Sequence, residues 1–255
     1  EQALLTHRPK ILAIVHAETS TGICQPVEGI GDLCRKYDCL LLLDTVTSLG
    51  AVPIYLDEWK VDLAYSCSQK GLSCPPGLGP FSMGPRAEAK MLARQGKVPN
   101  WYLDVSLLNK YWGSDRVYHH TAPVNMNFGL REALRLLAEE GLEAAWARHR
   151  SNAERLWAGL ERLGLELHAP QHLRLPTLTT VRIPAGVDGK AFSLHLLNRH
   201  GIEVGGGLGA LAGKVWRIGL MGYNSQPENV DRLLNLFESE LPAFRPGAAL
   251  AGAAS

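Results

Sequence analysis

Two stretches of the chain are apolar without alternation: Lys10 to His16, with Ile11-Leu-Ala-Ile-Val15 inside it, and Cys39 to Leu43, closed by Asp44. Continuous apolar runs of this length are the pattern of strands in a parallel sheet covered on both faces. Between them, Val27 to Tyr37 has apolar or small residues near helical spacing, so the three segments predict a βαβ unit. A further strand is expected over Leu63–Cys67 and leads to Lys70, and Pro75-Pro-Gly77 breaks the chain before a short strand, Pro80 to Met83. From Asn125 the spacing becomes helical, with Phe128, Leu130, Ala133, Leu134, Leu136 and Leu137, then Leu142 to Leu163, separated at Gly141. Beyond Pro170 the pattern predicts a strand over Leu178–Ile183, a helix over Ala191–His200 ended by Gly201, strands over Ile202–Val204 and Val215–Leu220, and a closing helix. Ser225 is the expected cap of that helix, with Pro227 early in it and Glu228 three residues on. The expected class is α/β: an incomplete large domain with a mostly parallel sheet over residues 1–140, a smaller α+β domain over 141–242, and a disordered Pro/Gly/Ala-rich tail over 243–255.

The polar residues that close two of these runs carry the candidate chemistry. Asp44 and Lys70 are delivered to the carboxyl ends of buried strands, where open α/β sheets bind ligands. A lone Asp and a lone Lys are more often a structural ion pair. At two strand ends they suit pyridoxal phosphate, in which a lysine forms the Schiff base and a carboxylate pairs with the pyridine nitrogen. Arg217 lies inside an otherwise apolar strand; it is either an edge residue or, facing a cleft, the group best matched to a substrate carboxylate. Glu18-Thr-Ser-Thr-Gly22 follows the first strand and offers either a plain turn or hydroxyls near a cofactor.

Composition narrows the classes. The 255 residues are 46% apolar, enough for a sizeable core, and no run approaches the ~18 apolar residues a membrane helix needs. A formal net charge of +1, with basic residues spread along the chain, gives no electrostatic case for a nucleic-acid or membrane partner. Five cysteines, Cys24, Cys34, Cys39, Cys67 and Cys74, lack C-x-x-C spacing, which argues against a disulfide framework or zinc site and for a reducing, intracellular compartment. Glu1 begins the chain without a readable targeting segment, so the natural start is expected to lie upstream. Gly207-Leu-Gly-Ala-Leu-Ala212 fits a loose dinucleotide pattern but leads into a strand rather than a helix, so a mobile hairpin or substrate-gating loop is expected instead. His119 and His120, on an extended segment, should point to opposite sides and hold no metal; Tyr118 and Thr121 beside them suit phosphate or hydroxyl contacts, or plain loop packing.

Taken together, Glu18-Thr-Ser-Thr-Gly22, Leu43-Asp-Thr-Val-Thr-Ser48, Ser66-Cys-Ser-Gln-Lys70, Pro75-Pro-Gly77, Tyr118 to Pro123, Arg174-Leu-Pro-Thr177 and Arg217 to Leu220 resemble the alanine–glyoxylate (serine–pyruvate) aminotransferases, a class-V family of fold-type I pyridoxal-phosphate enzymes. The resemblance runs to about Leu241. It implies transamination of alanine or serine with glyoxylate or pyruvate, in a homodimer located in the peroxisome or the mitochondrion. It assigns Lys70 the covalent bond to the cofactor, Asp44 the pyridine nitrogen, Thr19 and Gln69 further cofactor contacts, and Arg217 the substrate carboxylate. Tyr118 and Thr121 would reach the phosphate in the neighbouring subunit's site. Cys67 departs from the family's usual Gly, and Thr19 and Thr45 from its usual Ser. The resemblance also implies chain ahead of position 1, carrying a phosphate-cradling glycine loop, an aromatic residue on the cofactor ring and much of the dimer interface; the sequence is therefore expected to be a fragment. Other readings are a different fold-type I activity, such as a cysteine desulfurase using a loop cysteine, and a catalytically silent dimerising protein.

Overall fold

The structure is a computed structural model and describes residues 1–245. A short helix, α1 (Gln2–His7), precedes β1 (Ile11–Val15); β2 (Ala17–Glu18) and β3 (Ile23–Cys24) form a small ribbon; α2 (Ile30–Lys36) then returns the chain to β4 (Leu40–Asp44). Next come β5 (Leu63–Tyr65), β6 (Phe81–Met83), α3 (Pro85–Leu92), α4 (Val105–Trp112), α5 (Val124–Glu140) and α6 (Leu142–Arg162). The remainder is β7 (Leu178–Arg182), α7 (Gly189–His200), β8 (Gly205–Gly206), β9 (Val215–Gly219) and α8 (Pro227–Glu240). The class is α/β, as the apolar runs predict.

The first sheet has the order β1-β4-β5-β6. β1, β4 and β5 are parallel, with Val15 opposite Asp44 and Asp44 opposite Tyr65, while β6 closes the edge antiparallel. β4 is the covered strand: Leu41 and Leu43 are fully buried, with Cys34 of α2, Cys39 and Val27 around them. Its start is clamped by charge. Buried Asp62 accepts the Leu41 N–H at 2.9 Å and the Arg86 Nη1 at 2.9 Å, and Arg86 Nη2 donates to the Cys39 carbonyl. β1 is the outermost strand of the sheet that the described residues form: Ile11 and Val15 are exposed, and its Leu12 and Ile14 pack on the core.

The second sheet, order β7-β9-β8, is antiparallel. It packs with α6, α7 and α8 around the fully buried Phe192, Trp216 and Phe237, whose rings meet at 5.1–5.6 Å. Gly141, at φ 87°, breaks α5 from α6; α5 buries no residue completely, whereas α6 buries Leu156, Trp157 and Leu160.

Several local expectations change. The strand expected over Ile202–Val204 is displaced to Gly205–Gly206, because these two glycines pair with Arg217 and Trp216 of β9. Thus the glycine stretch is in part a sheet edge. Ser225 does not cap α8; that position falls to Gln226, and the buried Ser225 instead meets Asn152 Nδ2 through both its carbonyl and its hydroxyl. Ala243 and Phe244 belong to a 3₁₀ turn over Leu241–Phe244, with Phe244 against the ring of Phe192, so the expected tail does not begin at 243. The rest of that tail, residues 246–255, lies outside the described residues. Among the described residues no helix is long and apolar enough to cross a membrane.

Candidate active site

β4 ends at Asp44 because the apolar run ends there, and parallel pairing to β1 and β5 leaves that end at the rim where β2 and the turn after β5 converge. The carboxylate is held at both oxygens: Oδ1 accepts the Val46 N–H at 2.8 Å and Oδ2 accepts the Tyr65 hydroxyl at 2.6 Å. Donation to Asp44, more than burial, pushes the Tyr65 phenol up to about 12, so it stays protonated and the carboxylate stays anchored at neutral pH.

Lys70 follows on the turn after β5 and is half-buried. Its carbonyl accepts the Ser73 N–H, but its ammonium has no hydrogen bond or ion pair among the described residues. The turn is held from both sides. Ser66 Oγ donates to the Thr45 carbonyl at 3.0 Å, Ser68 Oγ to the Pro75 carbonyl at 2.7 Å, and Ser73 Oγ accepts the Tyr223 N–H at 2.7 Å. Cys67 lies against the Val46 carbonyl, 3.8 Å away.

Thr19, on the bend after β2, has its hydroxyl 3.0 Å from that of Thr47. Thr177, at the start of the second sheet's strand, donates to the Thr47 carbonyl at 2.9 Å, and the Leu175 N–H donates to the Gly22 carbonyl. Arg217 completes this meeting of the two sheets: its Nε donates to the Gly206 carbonyl at 2.7 Å and its Nη1 reaches the Thr19 carbonyl at 3.4 Å. The guanidinium is half-buried and has no carboxylate partner among the described residues. Asp44, Thr19 and Arg217 are therefore joined through one set of loops, and Gln69 is exposed next to Lys70.

Tyr118 and Thr121 are elsewhere on the surface. Their hydroxyls are 2.9 Å apart and bond no other part of the site. The neighbouring histidines differ from expectation: the segment is irregular rather than extended, so His119 Nδ1 and His120 Nδ1 lie 2.9 Å apart, with His119 stacked on Trp101. Thr47 and Thr177 lie in the quoted motifs but are given no contact by the sequence, and Tyr65 is given none; register would have found Tyr65, since it is the residue opposite Asp44.

A neighbouring cleft of about 580 Å³, lined by His16, Cys24, Trp59, Trp146, Arg150 and Arg174 among others, includes neither Asp44 nor Lys70. It holds no activated thiol. Cys24 sits 3.5 Å from His16 Nε2, yet burial raises its thiol to about 11 and depresses the imidazole's affinity for a proton.

Pyridoxal phosphate requires a free lysine amine, a carboxylate fixed for the pyridine nitrogen and a cation for the substrate carboxylate. The unpartnered Lys70, the doubly held Asp44 and the uncompensated Arg217 fit that group. The chain belongs to the aminotransferase class-V family, whose model matches residues 1–233. It is 47% identical over 245 residues to the alanine–glyoxylate aminotransferase of Oryctolagus cuniculus, covering 94% of this chain and 62% of that protein. Among solved structures it is similar to an alanine–glyoxylate aminotransferase from Nostoc sp., at 66% identity and a TM-score of 0.91, covering 93% of this chain and 63% of that one. It is similar also to the ureidoglycine–glyoxylate aminotransferase of Bacillus subtilis, at 40% identity and a TM-score of 0.93, covering 98% and 65%. The chain thus spans less than two thirds of the length of these relatives.

Proposed function

We propose that the protein to which this chain belongs transfers the amino group of alanine or serine to glyoxylate or pyruvate, with pyridoxal 5′-phosphate as cofactor, in the removal of glyoxylate. The observation that carries this reading is a carboxylate held at both oxygens at the end of β4, with an unpartnered lysine amine on the turn that follows the adjacent parallel strand β5. The names of its relatives support it: alanine–glyoxylate and ureidoglycine–glyoxylate aminotransferases share glyoxylate and differ in the donor.

Bound pyridoxal phosphate supplies an electron sink that makes the donor's Cα proton acidic. Asp44 keeps a proton on the pyridine nitrogen, its orientation fixed by Val46 and Tyr65. Lys70 would hold the cofactor, and its amine, once free, would take the proton from the donor's Cα and deliver it at C4′. Thr19 and Gln69 contact the cofactor. Arg217 binds the substrate carboxylate, and its bond to the Gly206 carbonyl orients the planar fork. Tyr118 and Thr121 serve the phosphate of the neighbouring site in a homodimer, a role that suits their exposure and their freedom from this site. The peroxisome or the mitochondrion is the proposed location.

The test is transamination by the purified full-length protein, with alanine, serine and ureidoglycine as donors and glyoxylate as acceptor. Equal amounts of pyruvate and glycine from alanine are expected. Turnover with ureidoglycine and none with alanine or serine would overturn the choice of donor, and absence of glycine with every donor would overturn the activity.

A further inference from the structure

Beside the second sheet, His195 from the middle of α7, His200 from its end and Glu240 from the end of α8 come together. His195 Nε2 lies 2.8 Å from Glu240 Oε2, and His200 Nε2 lies 3.5 Å from Glu240 Oε1. One atom from each of the three side chains lies within 4.8 Å of the other two. All three residues are partly buried, and the two imidazole rings stand 5.7 Å apart, nearly perpendicular. His200 Nε2 is itself buried, yet has no hydrogen-bond partner. A buried ring nitrogen left without a partner costs free energy unless something occupies the space in front of it.

We propose that these residues form a binding site for a divalent transition-metal ion, zinc by preference, held by two imidazoles and one carboxylate. Imidazole with carboxylate is a common zinc donor set, with ligand distances of about 2.0–2.2 Å that a small contraction of this cluster would reach. Residues five apart on one helix would not by themselves share a face; Glu240, the last residue of α8, reaches both through its two carboxylate oxygens. Both helix ends present the partial negative charge of unsatisfied carbonyls, which favours a cation. The His200 carbonyl is already taken by Arg232 Nη2 at 2.7 Å, so the ring nitrogen is the group of His200 that remains open. The ring of Phe244 lies 5.2 Å from that of His195 and shields the cluster on one side. Binding replaces the contact between His195 Nε2 and Glu240 Oε2, and the ion pins α7 to the end of α8. Three protein ligands leave a fourth position for water. The site lies away from the proposed catalytic residues, so it is a structural pin and does not depend on the transaminase reading.

The experiment is titration of the purified full-length protein with Zn(II) in competition with a chromophoric chelator, for wild type, His195→Ala, His200→Ala, Glu240→Gln and the control His172→Ala. One competed equivalent is expected in wild type and control, with an apparent affinity at least about tenfold weaker in each of the other three. Thermal unfolding should rise with Zn(II) in wild type and control alone. Co(II) absorption of the wild type gives a reading that requires no variant, and an intense d–d band of tetrahedral nitrogen–oxygen coordination is expected. The absence of a competed equivalent, equal affinity in all five proteins, or only the weak octahedral Co(II) spectrum would each overturn the proposal.

Discussion

The sheet β1-β4-β5-β6 and the sheet β7-β9-β8 dispose of their apolar residues in opposite ways. The second closes on itself: Phe192, Trp216, Phe237 and Val181 are fully buried between the strands and α6, α7 and α8. The first buries Leu40, Leu41 and Leu43 of β4 and, among the described residues, leaves Ile11 and Val15 of β1 open at its edge. Polar chemistry is divided the other way. Asp44 and Lys70 stand on the open sheet, and the closed one contributes Arg217 and the Thr177 hydroxyl that ties Thr47 to it. A self-contained core can carry one reaching side chain, whereas the groups proposed to react sit where strand ends and loops remain accessible.

This contrast breaks first at Lys70. Lys70→Ala in the full-length protein should lower transamination by about 10²–10⁴-fold, the usual worth of a positioned proton-transfer group, while leaving the melting temperature close to that of wild type. The contrast in packing is next. Phe192→Ala should cost about 3–5 kcal/mol of unfolding free energy by chemical denaturation, and Ile11→Ala of the open edge under about 1.5 kcal/mol. Equal costs would mean that β1 is covered in solution. Arg217→Met comes third: losing a charged partner costs about 2 kcal/mol or more, which is ~30-fold in kcat/KM for alanine. An unchanged value would remove Arg217 from substrate binding. The smallest effect is expected at Tyr65, whose bond to Asp44 is partly exposed to water. Tyr65→Phe should weaken cofactor retention about fivefold, about 1 kcal/mol, below the ~1.5–3 kcal/mol of a hydrogen bond to a charged group because water can replace the lost donor.

The same contrast explains what was legible in the sequence. The strands β1 and β4 and their connecting helix could be read because continuous apolar runs have few alternatives, and the place of Asp44 could be read because it ends such a run; the strand expected to run to Cys67 stops at Tyr65, so Lys70 lies on the turn beyond it. Ser225 was misread as a cap because its preferred partner, Asn152, is 73 residues away, and no local pattern carries that information. His119 and His120 meet because their segment is not a strand, which the alternation rule assumed. The helix α4 was missed although its signal was local: Asp104 caps it, with Oδ1 accepting the Ser106 N–H at 3.0 Å. Tyr65 and Thr47 required register and tertiary pairing, which only the folded chain supplies.

The central claim is that the lysine after β5 bonds the cofactor. Borohydride reduction of the full-length holoprotein, followed by proteolysis and mass mapping of the pyridoxyl label, tests it most directly. The label is expected on the peptide containing Lys70 and should vanish in Lys70→Ala; a label on Lys90, Lys214 or any other lysine would contradict the assignment.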